Sequence, residues 1–561
     1  MSRSAIHRGT PLWGLLFGVM LFASNAGAEE RVRLEHKAMP DWFMLDAEYR
    51  VRSLYINPLE LGGETVDEMS WSEQRLRLDM GVRWAKKGGV YMQLDVLDGT
   101  LMGDNGQFGG DPQPSSGLAL ASRRPNVAGY GVGYAAGASD PLNSDNYVPV
   151  LKGMDPIQVN WAYGEAFLPL GFLRVGRQPF TLGAGIGGHD GLRRNRWGVS
   201  HYSHTADRVM FGTKIDEWVN AIKHGPGYEA DPSMDNGLFF VLAYDWSVQD
   251  ELTATDDNLH QIMTGLMWRK RKADWFGLEW KKLTAMAFML TKLGPSFDTE
   301  VMAFPMRLKG IVEPLSFDFE YIVYTGKTRE IAEGYAALSG KEAKTQQLMA
   351  MGAHASVGFT LGPVELLAQF NFASGDEDPR PSTDWTGFSY ARDFNMGLLM
   401  FEHILAFESA RSAAVGLQTL ADSGAAAFPL TEVATEGRFT NAVALFPQIK
   451  FQLAEGPTHW VHARLGALFA WPAAKAGVVD PVATVRGVDG ESIVDDAVNY
   501  HGGKPGDYYG TEIDLQLSWT WSQVFHWTLE GAVLFPGSSM QNVHGHAVNS
   551  YFVENRFEFI F

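Results

Sequence analysis

The last thirteen residues, 549–561, constrain the fold more than any other stretch. Read at every second position, they place Tyr551, Val553, Asn555, Phe557, Phe559 and Phe561 on one side. The other side carries Phe552, Glu554, Arg556, Glu558 and Ile560. Period-two alternation means a β-strand whose two faces meet different surroundings. A soluble sandwich would turn the aromatic face to a core. A barrel in a membrane would turn it to lipid and the charged face to a wet lumen.

The start of the chain points to export. Residues 1–28 read as a secretory signal: Arg3, His7 and Arg8 are basic, 12–23 is a short apolar run, and Ala26-Gly27-Ala28 is a small-residue cleavage site. That run is too short to span a bilayer as a helix, and no other stretch reaches about 20 uninterrupted apolar residues. The chain has no cysteine, which excludes disulfides, thiolate metal sites and a lipobox-type anchor. With its alternating aromatics and terminal Phe561, the C-terminal strand resembles the closing strand of bacterial outer-membrane proteins. The expected location is therefore the bacterial outer membrane, with cleavage after Ala28. Outer-membrane lipids and the barrel-assembly machinery are the expected partners, and no cofactor is expected.

A mature chain of about 530 residues would ordinarily divide into several soluble domains. A large barrel is the exception, because it needs no thick core. The net charge of −19 excludes a nucleic-acid binder, which would be basic. Acidic outward loops explain that charge, and could also hold divalent ions among lipopolysaccharides.

The strands can be counted in order. In 43–53, Phe43, Leu45, Ala47, Tyr49 and Val51 point outward, and Asp46, Glu48, Arg50 and Arg52 inward. The segment 74–84 repeats this, with Arg75, Arg77, Asp79 and Arg83 inward. Further strands are predicted at 90–96, 157–168, 172–182, 205–214, 237–247, 259–271, 282–293, 299–311, 315–327, 345–361, 364–375, 440–454, 459–471, 508–521 and 525–535, before the closing strand. The fold class is thus all-β: a transmembrane, antiparallel, up-and-down barrel of about 18 strands with long extracellular loops. Residues 1–28 are the signal, 29–41 a short periplasmic lead-in and 42–561 the barrel.

The connections give an independent check. Tight turns at 85–89, 169–171, 312–314, 362–363, 455–458 and 522–524 fall on the periplasmic side. The long loops 99–155, 184–204, 328–344, 376–438 and 472–507 fall outside, the known barrel asymmetry. Residues 216–236 break the rule: either 216–224 forms a small helix or a hairpin is missed. Trp460, Trp519, Trp521, Trp527 and Phe561 gather at predicted periplasmic strand ends, where an aromatic girdle belongs.

About eighteen strands enclose more space than side chains alone can fill. With no separate plug domain, the constriction is expected from 99–155 or 184–204, the latter glycine-rich and carrying Arg193, Arg194 and Arg196. Inward Arg50, Arg52, Arg75, Arg77, Arg83 and Arg174 could form a basic track for an anionic or polyhydroxylated solute. Inward acids, among them Asp46, Glu48, Asp79, Asp95, Glu512 and Asp514, could instead tie them into ion pairs that stiffen the wall.

Gly176-Arg177-Gln178 resembles the Gly-Arg-Gln element of the alginate-export family of outer-membrane porins. Tyr509-Gly510-Thr511-Glu512-Ile513-Asp514 is similar to that family's Gly-Thr-Glu-hydrophobic-Asp strand, and Phe535-Pro536-Gly537 and Ala373-Ser374-Gly375-Asp376 match further junctions. The resemblance covers 172–561 and implies an eighteen-stranded barrel that passes solutes; in the alginate exporter the solute is an anionic polysaccharide guided by lumenal Arg and Lys. It implies Arg174, Arg177 and Gln178 as lining residues. The mixed sign of the inward charges departs from that pattern, so alginate itself is not carried over.

Other readings rest on fewer residues. His189, Asp190, His201, His204 and Asp207, with Ser200 and Ser203 among them, could supply a hydrolase's base and its orienting carboxylate, and the His-x2-His spacing of His201 and His204 could instead hold a metal if a third ligand joined. Histidines in a glycine-rich loop are more often solvated polar groups. Asp376, Glu377 and Asp378 are carboxylates at a strand top that could take calcium or form a solvated loop tip. A third reading is a non-transporting scaffold that sheathes an electron-transfer protein or displays adhesive loops. The leading expectation is a channel for a small polar, anionic or saccharide-like solute, without enzymatic activity.

Overall fold

The computed structural model is a closed β-barrel. It describes residues 42–561 except 62–67, 85–86, 103–129, 135–136, 138, 140–146, 152–154, 170, 181–182, 193–195, 202, 226–227, 229–230, 232, 248–257, 331, 334–341, 378–382, 411–434, 476–505 and 542–544. The strands are β1 (Phe43–Asn57), β2 (Met69–Trp84), β3 (Gly88–Met102), β4 (Tyr130–Tyr134), β5 (Tyr147–Leu151), β6 (Asp155–Leu168) and β7 (Gly171–Pro179). They continue with β8 (Thr205–Lys214), β9 (Gly237–Ser247), β10 (Leu259–Trp275), β11 (Leu278–Gly294), β12 (Thr299–Val312) and β13 (Leu315–Thr328). The rest are β14 (Gln346–Leu361), β15 (Val364–Ala373), β16 (Ala442–Glu455), β17 (His459–Pro472), β18 (Gly510–Trp521), β19 (Phe525–Pro536) and β20 (Ser550–Ile560).

All but β4 and β5 belong to one 18-stranded sheet. Each wall strand pairs antiparallel with the next, and β20 returns to β1 from Glu48 opposite Ile560 to Asn57 opposite Tyr551. Closure leaves no edge, as hydrocarbon requires of a sheet. All eighteen predicted strands are present. The alternation read from the closing strand also holds: Val553 and Phe557 are 46% and 37% exposed on the outer face, whereas Glu554 and Arg556 are 1% and 6% exposed inside.

The periplasmic turns are tight for a local reason. Phe276 and Gly277 both adopt left-handed φ values, 57° and 74°, the two-residue hairpin geometry that matches strand twist. Trp84, Trp275, Phe276 and Trp521 are exposed at this end and form the girdle. Trp460 does not join them, because its partner Thr520 lies on the lumenal side of β18.

Three connections differ from expectation or resolve it. The overlong periplasmic connection holds the helix Ile215–His224. The stretch 99–155, read as featureless loop, contains the extra hairpin β4–β5, whose five-residue strands, one broken by Gly131 and Gly133 and the other by Pro149, show too little alternation to be recognised. Of the segment 376–438, placed outside, the described part 385–409 folds into the lumen. A barrel that was expected to need no thick core therefore has a lumenal one, where Leu54, Trp71, Phe446 and Phe552 of the wall pack on Phe394, Leu399, Phe401 and Phe407 of that segment.

An arginine at Leu515, midway along the lipid face of β18, should cost about 2–4 kcal/mol in unfolding from bilayers, whereas one at Phe535, near a strand end, should cost about 1 kcal/mol or less through its charge. Equal costs would mean that the outer face is not immersed as described.

Candidate functional site: the lumen and its inward segments

The described residues of 184–204 cross the lumen as a strap. At one end the Ala184 amide donates to Glu320 of β13. At the other, the inward arginines of β1 and β2 grip its carbonyls. Arg77 donates to Gly191 O at 2.7 Å and His201 O at 3.2 Å, and Arg75 and Arg50 donate to Ser200 O at 3.3 and 3.5 Å. Between them the Arg196 carbonyl accepts from Arg464 of β17 and Gln516 of β18, and the Gly198 amide donates to Glu530 of β19.

Arg77, Arg75 and Arg52 are also paired along the wall. Arg77 makes a bidentate pair with Asp95, both contacts at 2.6 Å. Arg75 meets Glu48 at 3.0 Å, and Arg52 meets Glu73 and, at 3.2 Å, Glu554. Arg52 also reaches His201 Nε2 at 2.6 Å. Guanidinium cannot accept, so this imidazole accepts and is neutral. Burial, and then Arg52, Arg50, Arg75 and Arg77, hold it well below its ordinary value of 6.5. Of the expected basic ladder, Arg52, Arg75 and Arg77 are thus paired with carboxylates, while Arg50 meets the Ser200 carbonyl and His201.

A second inward segment, 385–409, lies on the strap. Asn395 donates to the Trp197 and Val199 carbonyls at 3.0 and 3.2 Å, and the His201 amide donates to Asp393 at 2.7 Å. Its π-helical turn Met400–Leu405 is wholly buried. Glu512 of β18, fully buried, caps this turn: its carboxylate accepts the Leu398, Leu399 and Met400 amides at 2.6, 2.9 and 2.6 Å. Three charge-assisted bonds from otherwise orphaned donors make it the anchor of the segment. Asp514, two residues along the same face, is equally buried.

The opposite wall has another character. The register aligns Met210, Ala243, Met263, Leu290, Ala303 and Tyr324 in one lumenal row. Nearer the periplasm, Phe239, Met267 and Met286 align with Arg307, and below them Arg269, Thr284, Lys309 and Asp318 form the next row. A small cavity lies between this wall and the strap, bounded by Met286, Phe288, Ile322, Phe180 and Gly187, with Glu320 beside it. Arg307 is held by Asp318 and Gly183 O. Lys309 makes no hydrogen bond or ion pair among the described residues, and Arg269 reaches the Met234 carbonyl at 3.3 Å.

The remaining predicted residues separate. Arg174 is lumenal, beside Glu165 and 4.7 Å above the Tyr163 ring. Gln178 is buried and donates to Arg208 O at 2.8 Å. Arg177 corrects the expectation of a lining residue: it faces outward and pairs with Asp207 at 2.9 Å. Three positions from Arg174, it must lie on the other face of a strand. Arg83 is exposed at the periplasmic rim, near Met44. Arg196 approaches Glu365 at 3.8 Å, while Arg193 and Arg194 lie outside the described residues.

The hydrolase arrangement does not assemble, since Asp207 lies on the outer face while His189 turns to the Arg392 carbonyl. Asp376 is buried and accepts the Thr386 amide at 3.1 Å; Glu377 is exposed and Asp378 lies outside the described residues. Among the described residues no three His, Asp or Glu side chains converge as a metal ion requires. Sequence reasoning missed the second segment, although Phe388, Tyr390, Phe394, Leu398, Leu399, Phe401 and Phe407 made it far too apolar for an exposed loop. It also missed Arg269 and Lys309, which alternation does place inward.

A closed transmembrane barrel with segments folded into its lumen defines an outer-membrane protein of the porin class. The alginate export family model matches residues 154–554, well over half of the chain, and the chain belongs to that family. Similar solved structures include the outer membrane protein OprD from Pseudomonas aeruginosa, at 8% identity, covering 96% of this chain and 98% of that one with a TM-score of 0.46. OccK8 (OprE) from Pseudomonas aeruginosa is 10% identical, with 92% and 98% covered and a TM-score of 0.42. OccAB4 from Acinetobacter baumannii is 8% identical, with the same coverages and a TM-score of 0.43. No curated protein matches the chain.

Replacing Glu512 by Ala orphans three buried amides and should cost on the order of 3 kcal/mol locally. Amide exchange at 398–400 should then accelerate roughly 100-fold, with the barrel strands still protected. The strap should also respond to acid. Because the folded state resists protonating His201, its hold is complete above about 6.5 and weakens as the pH falls below, by at most about 1.4 kcal/mol per pH unit. Exchange or proteolysis of 184–204 at pH 7.5 and 5.5 checks this, and His201→Gln should remove the dependence.

Proposed function

We propose that this protein is a non-enzymatic channel of the bacterial outer membrane, exported with cleavage after Ala28, that passes a polar, anionic or saccharide-like solute along an off-axis path. The observation that carries this reading is the division of the lumen. Over β14–β20, β1 and β2 the space is occupied by the apolar core around 385–409 and by paired arginines. We therefore place the path past β6–β13, where it passes a wall whose middle is itself packed, with Phe239, Ala243, Met263 and Met286 buried. There Arg174, Lys292, Lys309 and Arg269 are among the cations a passing solute meets, and Lys309 and Arg269 have no carboxylate at hydrogen-bond distance among the described residues. Family membership supports transport, and the family's description as alginate export supports an anionic sugar polymer as one solute class. Its guiding charges would here be Lys309 and Arg269 rather than the arginines of β1 and β2, which are already engaged. The packed core also takes up the room that a sheathed electron-transfer partner would need, which favours a channel over a scaffold.

Protein reconstituted in planar bilayers should show stepwise conductance with a preference for anions. Lys309→Gln combined with Arg269→Gln should shift the reversal potential toward cations, whereas Arg75→Ala combined with Arg77→Ala should leave selectivity nearly unchanged and loosen the strap. Absence of steps overturns the channel, and the reverse ranking of the two pairs overturns the path.

A further inference from the structure

The helix Ile215–His224, between β8 and β9 at the periplasmic rim, is amphipathic in an unusual sense. Ile215, Trp218, Val219 and Ile222 fall at i, i+3, i+4 and i+7 and form one stripe. A helix on a soluble domain would turn such a stripe to the core. Here Trp218, Val219 and Ile222 are 43%, 44% and 82% exposed. The polar side is the one held by protein. Glu217 is buried and accepts from the Tyr228 hydroxyl at 2.7 Å and the Asp231 amide at 2.9 Å, while Asp216 accepts the Leu238 amide at 3.3 Å.

One contact fixes the direction in which the stripe looks. The Trp218 indole N–H donates to Thr213 Oγ1 at 2.6 Å. Thr213 sits opposite Phe240 on the outer face of the wall, the same face as the exposed Val209. The helix is therefore bent back over the outside of the barrel. Its apolar stripe continues the lipid-facing surface, and its basic end, Lys223 and His224, suits anionic headgroups.

We propose that this helix is an interfacial membrane anchor: it lies in the headgroup layer of the inner leaflet, with Ile222 and Val219 among the acyl chains and its polar side on the barrel. Such placement needs a strong apolar stripe and a charged opposite face, not a long helix. It accounts for an apolar patch that a water-facing rim would leave bare.

The test exploits the absence of cysteine from the chain. Ile222→Cys and His224→Cys each carry one environment-sensitive fluorophore in the full-length protein, reconstituted into phosphatidylethanolamine–phosphatidylglycerol vesicles. The Ile222 label should be quenched several-fold more than the His224 label by lipids brominated near the headgroup, and several-fold less by aqueous iodide. Iodide quenching equal at the two sites would place the stripe in periplasmic water and overturn the anchor. Protection of the Ile222 label from both quenchers would mean that protein, a second copy or another chain, covers the stripe, and would overturn it equally. Far-ultraviolet circular dichroism and heat-modifiable migration confirm that each variant keeps the barrel.

Discussion

The molecule depends on one constraint: in hydrocarbon, backbone N–H and C=O groups must find partners within the protein. Meeting it by pairing β20 with β1 fixes almost everything else. Each wall residue then has only two directions, toward lipid or toward the lumen, and neighbours alternate between them. The outer face becomes apolar and the inner face is free to hold charge. Arg52, Glu73 and Glu554 can come together because closure makes the first and last strands neighbours, although Arg52 and Glu554 lie 502 positions apart in sequence.

The lumen adds a second layer of organisation. Charges removed from bulk water need partners, and here wall carboxylates and segment carbonyls supply them together. Arg77, for example, serves Asp95 on the wall and Gly191 and His201 on the strap at once. The strap is therefore part of the wall's electrostatics rather than an object inside it. The apolar segment then packs on the strap, with Glu512 capping its buried turn. This order of dependence, wall, strap and then core, explains why a polar strand such as β18 ends up inside an apolar cluster.

How much of this could be read beforehand follows from the kind of signal each part leaves. Strands leave a period-two pattern, and even weakly charged ones such as β9 were found. Their parity also separates Arg174 from Arg177, a distinction that the short Gly-Arg-Gln resemblance obscured. Loops leave no such pattern. The glycine and arginine content of 184–204 suggested an inward course, but 385–409 was assigned to the outside by position in the up-and-down order, which fixes where a loop starts and not where it goes. Its density of Phe, Leu and Met was the usable signal. Pairing partners are harder still: the arginines of β1 and β2 were recognisably inward, but their neutralisation by Glu48, Glu73 and Asp95 follows from strand register, and their engagement by carbonyls from the path of the strap.

The strap also has a mechanical meaning. It joins β13 to β2 through Ala184 and Gly191, and at Arg196 and Gly198 it touches β17, β18 and β19 before Ser200 and His201 return to β1 and β2, so it runs across the barrel like a spoke across a rim. A hollow cylinder squeezed by the bilayer's lateral pressure deforms most easily by flattening into an ellipse. A member tied at opposite sides resists that mode, because flattening would have to stretch or buckle it. The cross-section here is thus held round by material that an open pore lacks, and a change in the strap's grip would alter the shape of the wall as well as the width of the passage.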